Sequence, residues 1–123
     1  MDLSRNLAKI VPSQPIQIIA QDCFEVPLAL LDNQGYNVYF YDGDHSAESQ
    51  KKALTYFDSV LADEFIFVVD DFCRLEVQDG TYDGLTEMGY RSAYDVKLAA
   101  RYADDREQWW NGLFVGVIQK DKS

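Results

Sequence analysis

The segment "FIFVV", Phe65 to Val69, is apolar on both of its sides. Side chains alternate along a strand, so Phe65, Phe67 and Val69 face one way while Ile66 and Val68 face the other. "LFVGVI" repeats the arrangement, with Leu113, Val115 and Val117 opposite Phe114 and Ile118. Strands of this kind need cover on both faces, as in a sheet flanked by helices.

The remaining elements fit that demand over much of the chain. "IQIIA" reads as a strand ending at Gln21-Asp22, and "NVYFY" as a second strand. Between them, "VPLALLDN" reads as a short apolar helix or turn closed by "NQG". Ser46 is a plausible N-cap for a helix "AESQKKALTYFDSVLA", with Ala53, Leu54, Phe57, Val60 and Leu61 on one face. "FIFVV" follows, so strand and helix alternate from Ile16 to Val69, the pattern of an α/β fold with a parallel sheet. "DLSRNLAKIV" looks like a short N-terminal helix stopped by "PSQP". "FCRLEVQDGTYDGLTEMG", with three glycines, reads mostly as loop, with room for one helical turn. "YRSAYDVKLAARY" is open between strand and helix, and "DDREQWWNG" reads as a turn before the last strand, "LFVGVIQK". One domain is expected from 123 residues without repeat or linker.

A formal net charge of −10 argues against nucleic acid and against anionic membrane surfaces as partners. No apolar run reaches the length of a membrane span and no secretory leader is visible, so a soluble, cytoplasmic protein is expected. Cys23 and Cys73 are too few for a disulfide scaffold or a zinc site, and buried thiols are expected. The acidity is explained by solubility, or by cation binding if the acids converge in space.

Three strands end in acids: Asp22 after the first, Asp42 and Asp44 after the second, Asp70 and Asp71 after the third. Ligands of open parallel sheets bind at the carboxyl ends of the strands, and parallel strands would gather these acids along one edge. Hard divalent cations such as Mg²⁺ favour such oxygens. Asp is equally a common turn former and N-cap, and His45 beside an N-cap fits a hydrogen-bonding surface residue. Trp109 and Trp110 fit packing over the sheet end, and Tyr39 and Tyr41 fit core or interface.

Taken in order, "VYFYDGDHSAESQKKAL" and "YFDSVLADEFIFVVDDF" resemble the class I S-adenosylmethionine-dependent methyltransferases, in the branch with "F-I-D-G-D-H-S-Y-E" and "I-I-V-x-D-D" motifs. The resemblance implies a Rossmann-like fold whose sheet runs three, two, one, four, five, seven, six. It implies Mg²⁺ held by Asp42, Asp70 and Asp71, with Asp44 as general base and His45 at the family's histidine position. Asp22 and Phe24 would border the adenine of S-adenosylmethionine. The metal would lower the pKa of a substrate hydroxyl, Asp44 would take its proton, and the oxygen would attack the sulfonium methyl.

The family's first two strands, with their glycine-rich loop and ribose-binding acid, have no counterpart, and no G-x-G occurs anywhere in the sequence. The expected fold is therefore a truncated Rossmann-like domain. It has a mostly parallel five-stranded sheet, a C-terminal antiparallel strand, helices mainly on one face, and "IQIIA" beside "NVYFY". Such a sheet leaves one face uncovered, and a homodimer through that face or through an edge strand is expected. Three functions remain open: a non-catalytic derivative that binds a small molecule or metal, a Mg²⁺-dependent O-methyltransferase completed by a partner subunit, and an acidic interaction module.

Overall fold

The computed structural model describes residues 16–31, 35–98 and 111–120. The chain forms two compact units, Met1–Asp32 and Asn33–Ser123. The expected N-terminal helix at "DLSRNLAKIV", the "DDREQWW" turn and the tryptophan pair lie outside the described residues.

In the first unit, Ile16–Ala20 is irregular and joins no sheet, which corrects the strand expected at "IQIIA". Parallel pairing with "NVYFY" needs a crossover that rises over the sheet, usually a helix. Residues 21–31 hold only a turn at Asp22 and one 3₁₀ turn, Leu28–Leu30, behind Pro27. Among the described residues the sheet consequently has four strands, where five were expected.

The second unit contains β1 (Tyr36–Tyr41), α1 (Ala47–Phe57), β2 (Leu61–Asp70), α2 (Leu75–Met88), β3 (Tyr90–Leu98) and β4 (Leu113–Lys120). The strand order is β1-β2-β4-β3. β1 and β2 are parallel, and β4 runs antiparallel to both β2 and β3. The α/β class is as expected, with a mixed sheet.

Ser46 caps α1, its hydroxyl accepting the Ser49 N–H at 3.2 Å. The helix stops at Phe57, short of the expected Val60 and Leu61. Asp58–Val60 makes a 3₁₀ turn, and Lys120 Nζ donates to the Asp58 and Leu61 carbonyls, which releases Leu61 into β2. Tyr90 donates its hydroxyl to Asp58, so β3 and β4 are tied to the same turn.

α2 overturns the loop expected over 72–89. Glycine lowers helix propensity by about 1 kcal/mol per residue, which makes this stretch read as irregular. Here Gly80 and Gly84 stand four residues apart on the face that meets α1. A Cβ on Gly80 would fall 2.3 Å from the Ala47 carbonyl oxygen and 2.5 Å from Gln50 Cβ. The missing side chains let the two helices touch backbone to side chain, and Gly89, at φ 67°, closes α2. In β3, pairing with β4 along its whole length overrides the helical propensity beyond Val96.

The core lies between the sheet and the two helices. Phe65, Phe67 and Val69 of β2 and Phe114 and Ile118 of β4 are fully buried there. Each such side chain contributes about 1.5–3 kcal/mol by leaving water. Phe67 meets Tyr39 and Phe114 by ring contacts, and the Tyr39 hydroxyl donates to the Ala53 carbonyl of α1 at 2.8 Å. Among the described residues no helix is long and apolar enough to cross a membrane.

The close helix contact predicts unequal costs for equal substitutions. Gly80→Ala is expected to destabilise by about 2–3 kcal/mol in denaturant melts, in the overpacking range. Gly84→Ala, whose Cβ would meet neighbours at 3.2–3.3 Å, is expected to be closer to neutral. Thr81 Oγ1 is buried on the same helix without a hydrogen-bond partner. Thr81→Val is therefore expected to raise the melting temperature, by about 1 kcal/mol in stability.

Candidate metal centre

The register Tyr41↔Val69 sets the next residues, Asp42 and Asp70, side by side at the carboxyl ends of β1 and β2. Beyond Asp70 the chain turns sharply, with Asp71 in the left-handed region at φ 58°. Asp71 is only 8% exposed, and both of its carboxylate oxygens are engaged. Oδ2 lies 2.6 Å from His45 Nε2, and Oδ1 accepts the Asn111 Nδ2–H at 2.9 Å.

Asn111 is held as firmly as the acid it orients. It too is left-handed, at φ 61°, and Gly112 follows at φ 85°. The Cys73 N–H donates to the Asn111 carbonyl at 2.9 Å, and the Phe72 N–H to the Gly112 carbonyl at 3.3 Å. A Cβ on Gly112 would sit 2.6 Å from Cys73 Sγ, so this clasp accepts only glycine. The turn before β4 and the loop after β2 are thereby locked together.

The loop carrying His45 is fixed from below. The Tyr41 ring packs against Gly43, where a Cβ would lie 2.7 Å from it. The Tyr41 hydroxyl and the buried Gln50 amide both donate to the Asp44 carbonyl, at 3.3 and 2.8 Å. With the Ser46 cap, these bonds leave His45 directed at Asp71 and partly exposed. One ligand atom each from Asp42, His45 and Asp71 then lies within 4.8 Å of the others.

The acids named from sequence divide into separate environments. Asp42 and Asp71 converge, and they do so with His45. Asp70 reaches the group through a hydrogen bond with Asp42. Partial loss of hydration, then the charge and hydrogen bond of Asp70 and the charge of Asp71, hold the Asp42 carboxyl above its ordinary range, against the opposing pull of His45. Asp44 turns to the start of α1, where its Oδ2 accepts the Ser46 hydroxyl at 2.6 Å and the Ser46 N–H at 3.3 Å. Those bonds to Ser46, with a further one to Ser49, push the Asp44 carboxyl below its ordinary range. A carboxylate held low accepts a proton poorly, so this environment suits a turn former better than a base.

Asp22 and Phe24 belong to the first unit, where Asp22 Oδ1 accepts the Phe24 N–H at 2.9 Å in a local turn. Both cysteines are exposed, contrary to the buried thiols expected. Asn111 went unnoticed in the sequence. Its signal was the Asn-Gly pair ahead of a strand, a marker of left-handed turn geometry. Comparison of the chain with protein-family models, curated proteins and solved structures gives no match.

The raised Asp42 carboxyl gives a pH signature. A group whose folded pKa exceeds its unfolded value weakens the fold once ionised. The loss begins near the ordinary value of 3.8 and is complete above the raised folded value. Asp42→Asn is therefore expected to be more stable than the parent in chelator at neutral pH, by less than about 1 kcal/mol because the site is solvent-screened. The gap should close as pH falls below 3.8. Thermal melts across that range that superimpose for both proteins would refute this account of Asp42.

Proposed function

We propose that the protein is a methyltransferase-like half-domain that binds a divalent cation through Asp42, His45 and Asp71. The observation that carries this reading is the convergence of the three ligand atoms around a buried Asp71 oriented by Asn111. Metal ligands need such outer partners to fix their orientation. The strand order β1-β2-β4-β3, with β4 antiparallel, supports the kinship. It follows the four-five-seven-six end of the order that the family resemblance implies. Both helices packing on one sheet face supports it too.

The donor set decides which cation fits. Two carboxylates with one imidazole suit Mn²⁺, Fe²⁺ or Zn²⁺ better than Mg²⁺, which prefers oxygen and water alone. Two ligands about 2.1 Å from one cation at a right angle are about 3 Å apart. The 2.6 Å His45–Asp71 separation is near enough that small side-chain rotations would exchange the shared proton for a metal. A bound cation would supply Lewis acidity to an oxygen ligand. The role proposed is ligand or metal binding, which the convergence of Asp42, His45 and Asp71 supports.

A second reading rests on the same short contact. His45 bonded to a buried, Asn-oriented Asp71 has the geometry of a general-base dyad, which needs no metal.

Calorimetric titration separates the possibilities. Mn²⁺ or Zn²⁺ is expected to bind one per chain at micromolar affinity, more tightly than Mg²⁺. Asp71→Asn and His45→Ala should each weaken that binding at least about tenfold. No binding of any of these cations would leave the dyad as the better account. Micromolar binding of S-adenosylmethionine would instead favour a methyltransferase completed by a partner subunit.

A further inference from the structure

The helices cover one face of the sheet, and the other face is apolar across all four strands. Two rows of cross-strand neighbours make it up. Val38, Ile66, Val117 and Tyr94 form the first, and Phe40, Val68, Val115 and Val96 the second. None of the eight carries a charge. Exposure runs from 37% to 68% at Val38, Phe40, Ile66, Tyr94 and Val96, and Leu98 extends the patch at 43%.

We propose that this face is the contact between two copies of the chain. The area fits. With side chains of this size, these exposures amount to roughly 600 Å² of accessible surface, at the top of the range that monomers show. It is most of the ~800 Å² that each side of a stable interface buries. The layout fits as well. At one end the apolar rows meet a polar row, in which Gln119 donates to Glu64 at 2.6 Å and accepts from Arg91. At the other end stand Asp42 and Asp70. An uncharged centre with a polar rim is the anatomy of a protein interface.

A second copy is the occupant that best matches the face. A charged partner would find nothing to pair with in the two central rows. A twofold mate brings the same uncharged rows, and twisted sheets pack face to face in an aligned arrangement. Because each chain carries a net charge of −10, association must overcome long-range repulsion, and added salt will strengthen it.

Light scattering on the full chain during size-exclusion chromatography is expected to show a dimer at micromolar concentration, tightening as sodium chloride is raised. The variant Phe40→Glu with Val96→Glu should dimerise at least about a hundredfold more weakly, while its circular dichroism and cooperative melt persist. Tyr94→Lys, at the more exposed edge, serves if the double variant fails to fold. Hydroxyl-radical footprinting should protect Phe40 and Tyr94 in the parent, and expose Tyr94 in the Phe40→Glu with Val96→Glu variant or Phe40 in the Tyr94→Lys variant. A monomeric parent overturns the proposal, and one that protects both residues shows the face covered by its own chain. A dimer that survives the substitutions overturns it too, because the contact then lies elsewhere.

Discussion

Parallel pairing of β1 with β2 is the constraint on which the acidic end of the molecule depends. Once Tyr41 stands opposite Val69, Asp42 must stand beside Asp70, and Asp71 begins the turn next to both. The pairing is itself held by the core. Tyr39 and Phe67 touch across the two strands, and Tyr39 anchors α1 through the Ala53 carbonyl. A register slip of one residue would send Phe67 to the outer face and carry the acids out of reach of His45. Burial of aromatic rings, rather than any attraction among the acids, therefore brings three carboxylates together against their repulsion.

The three strands with dense apolar alternation were legible in the sequence, and so was the Ser46 cap, because each signal there is local. α2 was not legible. Gly80 and Gly84 look like breakers until Ala47 and Gln50 of another helix are placed against them, which no local pattern reveals. "IQIIA" failed for the opposite reason. Its β propensity is genuine, but a strand needs a neighbour, and residues 21–31 after it hold one 3₁₀ turn, too short to carry the chain across a sheet. At the site, Asp42 and Asp71 were readable as strand-end acids. The part played by His45 depended on a left-handed turn at Asp71, and that turn depends on Asn111, forty positions along the chain.

The two faces of the sheet are unequal in a way that the apolar alternation anticipates. Phe65, Phe67, Phe114 and Ile118 are buried under the helices, while Val38, Phe40, Ile66 and Val96 remain open. A chain whose only role was to fold as a monomer gains nothing from apolar side chains at those open positions. Polar residues would serve there at little cost to stability. Their identity is what links the fold to a contact surface.

The acidic end and the open face meet. Asp42 follows Tyr41, and Asp70 ends β2, so both continue the alternation on the side of Phe40 and Val68, at the border of the apolar rows. Asp71 leaves that alternation through its left-handed turn and is buried. A divalent cation at Asp42, His45 and Asp71 would therefore place positive charge beside the rim of the proposed contact. There it offsets part of a net charge of −10 that each copy presents to the other. The repulsion opposing association and the repulsion raising the Asp42 carboxyl share a source. Anything that neutralises the cluster, whether cation or proton, acts on both in the same direction.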